Sequence, residues 1–254
     1  MPQFFDPFAG LRPDDKVNTY FQDVSAVEGT SVENGSGYRE DDVMGAEKGV
    51  STGTTILALE FDGGVVMAAD SRTSMGDYVA NRVSRKITPV HDRIFVCRSG
   101  SAADTQALTG YVQHYLGLHS IDLKDPRFPK VNTCASLFQT LIYGNKDNLM
   151  AGLIVAGWDK ERGGQVYSLP LGGAKFRRGY AVGGSGSAYI MGLIDAEYKP
   201  GMTEEQARSC CKKWVSHAMT RDGSSGGVVR TMVIKESGCH EDYTFGDSLP
   251  SKAL

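Results

Sequence analysis

Two apolar runs separated by Asp62-Gly63-Gly64 constrain the fold of this chain more than any other stretch of its sequence. Residues 55–61 and 65–70 are rich in β-branched and other apolar side chains, which favour strands. A short Asp-Gly turn between two such runs is typical of an antiparallel hairpin. The sequence therefore predicts a hairpin in which Thr54 stands at the start of the first strand and Asp70 at the end of the second.

Helical and strand patterns over the rest of the chain indicate a mixed fold. Apolar residues recur at helical spacing over residues 102–118 and 133–143. Thr203, followed by acidic residues, predicts the start of a helix that runs to about Arg221. Further strands are predicted over residues 93–98, 152–158, 165–169, 177–182 and 228–234. Two groups of strands that bracket a helix pair, with helices again near the end, fit an α+β fold with a four-layer α/β/β/α sandwich. The pattern by itself establishes only a mixture of helices and strands.

The glycine-rich stretch Gly183-Gly184-Ser185-Gly186-Ser187 is predicted to open a helix that runs to about Tyr198. A phosphate-binding loop is the alternative for such a stretch. The stretch in this chain, however, lacks the Lys-Ser/Thr pair of a P-loop and the full glycine spacing of a dinucleotide-binding loop. A tight turn is therefore the better interpretation.

Residues 1–53 differ from the rest of the chain in composition and charge. They hold ten Asp and Glu against four Lys and Arg, a net charge of −6, whereas the remainder carries +3. No helical or strand period persists in them, which predicts an extended leader. A propeptide that is removed and a plain flexible tail both fit this composition, and the abrupt change at Thr54 favours the propeptide.

Several functional classes are not indicated by the sequence. No stretch approaches the roughly 18 continuous apolar residues of a membrane span, and the N-terminus lacks the regions of a secretory signal. No basic run or basic helix stripe suggests nucleic-acid binding. The five cysteines are odd in number and lack paired CxxC spacing. Free thiols in a reducing intracellular compartment are expected, with no zinc site.

The junction Gly53-Thr54-Thr55 has chemical potential only if the Gly53–Thr54 bond is cut. Thr54 would then carry a hydroxyl nucleophile and a free α-amine on one residue. An α-amine titrates near pH ~8, so it can accept a proton at neutral pH. Taken alone, the junction is simply the start of a β-strand, where Thr is common. The later segments change that interpretation.

Six spaced motifs resemble those of proteasome β subunits, which are N-terminal-nucleophile hydrolases. The resemblance covers essentially all of residues 54–254. The motifs, in chain order, are Gly53-Thr54-Thr55, Ala69-Asp70-Ser71-Arg72, Arg85-Lys86, Ser99-Gly100-Ser101-Ala102-Ala103-Asp104, Gly184-Ser185-Gly186 and Asp222-Gly223-Ser224-Ser225. Among the catalytic classes the chain looks most like the beta-1, caspase-like subunit. The resemblance implies the four-layer α/β/β/α sandwich of the N-terminal-nucleophile hydrolase type, and it implies residues 1–53 as a propeptide before a protease domain at 54–254.

The resemblance also implies roles for individual residues. Thr54 would be the nucleophile, with its own α-amine as base, after cleavage between Gly53 and Thr54. Lys86 would lie buried beside it and lower the cost of forming the alkoxide, and Asp70 would pair with Lys86. The Gly100 N–H would donate to the oxyanion. The residues implied to orient the amine and a water are Ser185, Asp222 and Ser225. Singly, each position also has a plain alternative: a strand-end cap for Asp70, a surface charge for Lys86 and turn residues for Asp222 and Ser225.

Two interpretations are open for Arg98, one structural and one in substrate binding. A surface salt bridge is the usual fate of an arginine on a strand. By resemblance, Arg98 lies at the base of the S1 pocket, where a guanidinium would pair with a substrate carboxylate. The other residues implied to line this pocket are Thr73, Ser84 and Gln106. Cleavage after Glu or Asp is then expected.

The leading hypothesis is therefore a caspase-like threonine endopeptidase of the 20S core. The resemblance implies seven-membered rings with other α and β subunits, unfolded polypeptide as substrate, no metal or organic cofactor, and a location in cytoplasm and nucleus. One alternative is a non-catalytic structural subunit of the β ring. It is disfavoured because inactive subunits commonly lack the Gly-Thr junction, the lysine or the aspartate. Another alternative, a free-standing amidohydrolase, conflicts with the match to the beta-1 pattern.

Overall fold

The computed structural model of this protein describes residues 53–75, 78–121, 123 and 128–248. Apart from Gly53, the predicted leader lies outside the described residues, and its removal stays a prediction. The strands are β1 (Ile56–Phe61), β2 (Gly64–Ala69), β3 (Thr73–Met75), β4 (Tyr78–Asn81), β5 (Ile87–His91), β6 (Ile94–Gly100), β7 (Ala151–Asp159), β8 (Gly163–Leu169), β9 (Phe176–Arg178), β10 (Tyr180–Gly183), β11 (Val229–Lys235) and β12 (Gly238–Thr244). The α-helices are α1 (Ala102–Ile121), α2 (Val131–Gly144), α3 (Met191–Glu197) and α4 (Glu204–Arg221), with 3-10 helices at Ser185–Tyr189 and Gly246–Ser248.

Two five-stranded antiparallel sheets form the centre of the fold. One has the strand order β10-β1-β2-β11-β12 and the other β5-β6-β7-β8-β9, while β3 and β4 form a separate ribbon. The predicted hairpin is β1-β2, in which Ile56 pairs with Ala69 and Phe61 with Gly64. This register places the residues before β1 beside the residues after β2.

Side chains that alternate along the central strands fill three apolar layers. On β1, Ile56 and Ala58 lie in the layer between the two sheets, whereas Leu57, Leu59 and Phe61 pack against α3 and α4. The outer face of the other sheet packs against α1 and α2. Because successive side chains of a strand point to opposite faces, a strand buried on both faces is apolar throughout. The predicted α/β/β/α sandwich is confirmed.

The start of α4 is fixed by Thr203, the predicted N-cap, together with the side chain of Gln206. The Thr203 hydroxyl accepts a hydrogen bond from the Gln206 backbone N–H, and the Gln206 side chain accepts one from the Thr203 N–H. This reciprocal capping box satisfies two backbone donors that an open helix end leaves unpaired. The predicted N-terminus of this helix is confirmed.

Two predictions about local structure need correction, and not every strand was predicted. Residues 177–182 are not one strand: β9 pairs with β8 and β10 pairs with β1, so the chain passes from one sheet to the other at Gly179. The helix predicted to run from Gly183 to Tyr198 is broken, because Ile190, at φ −121° and fully buried, separates the 3-10 helix from α3. The strand β12 was not predicted, since its partly exposed residues, Gly238–Thr244, lack apolar alternation.

Candidate active site

The β1-β2 hairpin brings Thr54, Thr55 and Asp70 together. The Asp70 N–H donates to the Thr55 carbonyl at 3.1 Å, and the Thr55 N–H donates to Asp70 Oδ1 at 2.9 Å. Asp70 is fully buried, so its carboxylate needs hydrogen-bond donors or a cation in place of water. Asp70, predicted to end the second strand, is thus the first residue after β2, and its side chain is buried.

Lys86 supplies the cation for Asp70. Its Nζ lies 2.7 Å from Asp70 Oδ1, with side-chain exposures of 7% and 0% for the lysine and the aspartate. Burial lowers the pKa of Lys86 below its ordinary value, and the Asp70 carboxylate opposes that shift. The alternative of a surface charge for Lys86 is therefore wrong.

The lysine also reaches the peptide bond before Thr54. Lys86 Nζ donates to the Gly53 carbonyl oxygen at 3.0 Å, and Thr54 Oγ1 donates to the same oxygen at 2.7 Å. An ammonium and a hydroxyl that converge on one carbonyl polarise it. The Thr54 hydroxyl thus lies beside both a carbonyl group and a positive charge.

A second polar cluster holds the other side of Thr54. The Thr54 N–H donates to Ser185 Oγ at 3.1 Å, and Ser185 Oγ donates to Asp222 Oδ2 at 2.8 Å. Ser225 Oγ donates to the same Asp222 oxygen at 2.6 Å. Asp222 and Ser225 follow α4, and Ser185 follows β10, so the fold brings together three residues that are distant in sequence from Thr54.

At two positions in this site, the absence of a side chain on a glycine allows another part of the chain to lie close to its backbone. A Cβ on Gly53 would lie 2.0 Å from the Cβ of Ser224, so the junction fits only without a side chain. Gly100 has φ +101°, which favours glycine, and a Cβ there would lie 2.3 Å from the Met150 carbonyl oxygen. The last residues of β6 therefore run close to β7.

A cavity of about 390 Å³ opens beside Thr54, and every residue predicted for the S1 pocket lines it. Its lining includes Thr54, Lys86 and Gly100, together with Arg98, Thr73, Ser84 and Gln106. The Thr73 and Ser84 hydroxyls are hydrogen-bonded to each other at 2.5 Å. Sequence reasoning missed Asn81, Arg85 and Ser99, which also line the cavity.

Arg98 reaches this cavity without a carboxylate partner among the described residues. Its Nη2 donates to the Arg85 carbonyl at 3.1 Å, whereas its buried Nε has no hydrogen-bond partner there. Burial lowers the pKa of Arg98 below its ordinary value. The alternative of a surface salt bridge is therefore wrong for the part of the chain that the structure describes.

Two further residues support the site. Arg72 donates from Nη1 to the Gly223 carbonyl at 3.1 Å, and its guanidinium packs over Gly226, where a Cβ would lie 2.4 Å from Arg72 Cζ. Thr55, fully buried, hydrogen-bonds through its Oγ1 to Ser225 Oγ at 2.8 Å. Both residues belong to motifs noted in the sequence, but no sequence pattern indicates their partners.

Neither a metal centre nor a membrane helix is found in the described ranges. Residues 53–75, 78–121, 123 and 128–248 contain no group of three His, Cys, Asp or Glu placed to hold a metal ion. No helix in the same ranges has the length and apolar character needed to cross a membrane.

Comparison with known proteins places the chain in a family. The family model "Proteasome subunit" matches residues 50–234. A Dictyostelium discoideum protein named proteasome subunit beta type-6 is 53% identical over 204 residues, covering 80% of this chain and 94% of the relative. An Arabidopsis thaliana protein of the same name is 50% identical, covering 78% of this chain and 84% of the relative. A Mus platythrix protein named proteasome subunit beta type-9 is 48% identical, covering 80% and 91%.

These names correct one expectation from the sequence. The chain was expected to be a catalytic, caspase-like subunit of the beta-1 class, but these relatives are named beta type-6 and beta type-9. Judged by these names, that prediction is wrong. The alternative of a structural subunit of the β ring agrees with them better.

Membership of the family does not depend on that finer class. The matched region includes every residue of the candidate active site and all strands of both sheets except β12 and the last residue of β11. The relatives are matched over most of their length. At the coarse level the family is that of a protease, and its members assemble with one another. The chain therefore belongs to the proteasome subunit family, and it is a β subunit that assembles with other α and β subunits in the 20S core.

Proposed function

We propose that this β subunit is a threonine peptidase in which Thr54, once its α-amine is free, attacks the carbonyl of a peptide bond. The observation that carries the proposal is the convergence of Lys86 Nζ, at 3.0 Å, and Thr54 Oγ1, at 2.7 Å, on the Gly53 carbonyl oxygen. Both groups are buried, so their electrostatic effect on that carbonyl is stronger than in water. A purely structural role does not require this arrangement.

The proposed chemistry uses groups that already surround Thr54. The free α-amine takes the proton of the Thr54 hydroxyl as the oxygen attacks. The Lys86 ammonium stabilises the negative charge on Thr54 Oγ, and Asp70 keeps the lysine charged and in place. The Gly100 N–H donates to the oxyanion that forms on the carbonyl oxygen. When the oxyanion collapses, the peptide C–N bond breaks and the departing amine takes the proton that the α-amine holds. Water then hydrolyses the ester on Thr54. Ser185, Asp222 and Ser225 orient the α-amine through the hydrogen bonds described above.

We further propose that residues 1–53 are a propeptide. While the Gly53–Thr54 bond is intact, the Thr54 nitrogen is an amide and cannot act as a base. Cleavage of this bond would convert the N–H that now donates to Ser185 into the amine that the reaction needs.

The cavity that contains Arg98 is proposed to receive the substrate side chain that precedes the cut bond. It adjoins both Thr54 and Gly100, so an extended peptide whose carbonyl meets these two residues would place its preceding side chain there. Unfolded polypeptide is the proposed substrate, and cytoplasm and nucleus the proposed location.

The second candidate, a structural subunit of the β ring, is favoured by the names of the relatives. One experiment on the assembled particle separates the two functions. The mass of this chain is measured before and after exposure to a peptide β-lactone, which a reactive threonine hydroxyl opens to form an ester. A chain that begins at Thr54 and gains the mass of the probe, with the gain lost in Thr54→Ala, supports the peptidase. A chain that keeps residues 1–53 or stays unlabelled contradicts it and favours the structural role.

A further inference from the structure

We infer that Thr55 is a positioning residue for the reaction at Thr54, because its hydroxyl fixes the orientation of the Ser225–Asp222–Ser185 cluster. This inference rests on the proposed peptidase function. Thr55 follows the proposed nucleophile in sequence, yet it is fully buried and does not line the cavity beside Thr54.

The direction of the hydrogen bonds around Thr55 follows from counting hydrogens. A serine hydroxyl has one hydrogen to donate. Ser225 uses that hydrogen on Asp222 Oδ2, a carboxylate that accepts at 2.6 Å. The contact of 2.8 Å between Thr55 Oγ1 and Ser225 Oγ must therefore be a donation from Thr55 to Ser225.

This donation belongs to a continuous chain of hydrogen bonds that ends at the Thr54 nitrogen. Thr55 donates to Ser225, Ser225 donates to Asp222, and Ser185 donates to the same carboxylate oxygen while it accepts from the Thr54 N–H. Hydrogen bonds in such a chain polarise one another in a low-dielectric interior. A donor on Ser225 strengthens its bond to Asp222 and so spreads the carboxylate charge that faces Ser185.

Thr55 also joins this cluster to the Lys86–Asp70 pair. Its backbone N–H donates to Asp70 Oδ1 at 2.9 Å, while its hydroxyl donates to Ser225. The Gly226 N–H makes a parallel link to Asp70 Oδ2 at 3.0 Å. On the opposite side, a Cβ on Gly186 would lie 1.9 Å from Thr55 Oγ1. The hydroxyl is therefore packed tightly between the two loops that hold the Thr54 nitrogen.

Thr55→Val tests the inference because it keeps the shape of the side chain and removes the donor. The chain is produced with a removable fusion domain in place of residues 1–53, so that Thr54 is exposed without any need for leader processing, and is assembled into the particle. The rate at which a peptide β-lactone acylates Thr54 is measured across pH by the mass of this chain. In that step Thr54 Oγ bonds to the lactone carbonyl carbon, the ring C–O bond breaks, and the released oxygen takes the threonine proton.

We expect Thr55→Val to lower the labelling rate about fivefold, the effect of losing one buried hydrogen bond. With less donation to Ser225, the charge of Asp222 is less dispersed and holds the proton on the Thr54 amine more strongly. The acid limb of the rate profile should therefore move to higher pH. Thr55→Ser keeps the donor and should label within twofold of the parent chain at every pH.

The experiment can overturn the inference in several ways. If Thr55→Val matches the parent in rate and pH profile, Thr55 has no positioning role. A loss in Thr55→Ser with none in Thr55→Val would show that the packing of the Thr55 methyl group matters and that the donor does not. In a Ser225→Ala background, Thr55→Val should have no further effect, and a full additional loss would contradict action through Ser225. If Thr55→Val does not assemble, the pair Thr55→Ala and Thr55→Ser isolates the hydroxyl, and equal rates in that pair overturn the inference. A parent chain that exposes Thr54 but takes no label overturns the proposed function as well.

Discussion

Asp70 and Lys86 form a buried ion pair in which each oxygen of the carboxylate accepts two hydrogen bonds. Asp70 Oδ1 accepts from Lys86 Nζ at 2.7 Å and from the Thr55 N–H at 2.9 Å. Asp70 Oδ2 accepts from the Gly226 N–H at 3.0 Å and from the Arg72 N–H at 3.2 Å. Three backbone segments, at Thr55, Arg72 and Gly226, are thereby held around one buried carboxylate.

Asp70→Asn should damage both structure and activity, although it preserves the size of the side chain. In either orientation the new NH₂ group faces at least one N–H or ammonium donor, and the lysine loses its counter-charge. We expect a local loss of about 3 kcal/mol, as for other broken buried ion pairs, and a fall in Thr54 labelling of roughly 100-fold or more. Hydrogen exchange of β2 and residues 222–226 in the assembled particle measures the first effect. Unchanged exchange would contradict the structural role assigned to Asp70.

Lys86→Met should abolish most of the reactivity of Thr54, because the alkoxide loses the neighbouring positive charge. A fall in β-lactone labelling of at least about 100-fold is expected. Lys130→Met is the matched control: Lys130 pairs with Glu161 at the surface, with side-chain exposures of 60% and 49%, and the loss of such a pair has little effect. Labelling of Lys86→Met at the rate of the control would remove the lysine from the proposed chemistry.

Gly53→Ala should leave residues 1–53 attached in most chains. The added Cβ would lie 2.0 Å from Ser224 Cβ and 2.6 Å from the Ser224 carbonyl oxygen, which displaces the Gly53 carbonyl from Lys86 and Thr54. Gly223→Ala is the control from the same region, since a Cβ there meets nothing within 4 Å. Intact masses of chains from assembled particles give the fraction that begins at Thr54. Equal fractions in the two variants would show that the junction tolerates a side chain.

Arg98→Met should stabilise β6 while it changes the cavity beside Thr54. The charged guanidinium is partly buried, and its Nε has no hydrogen-bond partner among the described residues, so its removal relieves an unsatisfied polar group. Exchange of the β6 amides should slow by roughly fivefold. Arg93→Met is the control, because Arg93 Nε donates to the Glu236 carbonyl oxygen at 2.8 Å. No slowing of amide exchange is expected in this variant. Faster exchange in Arg98→Met would show that the guanidinium stabilises the strand.

As the pH is raised, the reaction at Thr54 should slow at a lower pH than it would if Lys86 had the ordinary pKa of a lysine. Burial lowers the pKa of Lys86 below its ordinary value of 10.5. A lowered pKa means that the ammonium loses its proton at a lower pH, and the neutral amine cannot stabilise the alkoxide. As the pH is raised, the labelling rate should therefore begin to fall before pH 10.5 is reached. Sedimentation shows whether the particles are still intact at each pH. A rate that stays level through this range would contradict the role of the ammonium.

The predictions made from sequence succeeded where local pattern and spacing carry the information. The hairpin β1-β2 was predictable because a short Asp-Gly turn between two apolar runs permits few other structures. The start of α4 was predictable because an N-cap such as Thr203 acts on backbone groups only a few residues away. The break at Gly179 was not predictable, because a change of sheet leaves no mark on the alternation of side chains.

The candidate site shows the same division. The sequence alone predicts that Thr54 and Asp70 lie at the open end of a hairpin. The burial of Lys86, the meeting of Ser185, Asp222 and Ser225 at the Thr54 nitrogen and the link through Thr55 are seen only in the folded structure. The physical reason is that burial and hydrogen-bond partnership depend on how two sheets and their connecting loops pack together. Those contacts link residues up to 170 positions apart, a separation at which no local pattern in a single sequence carries a signal.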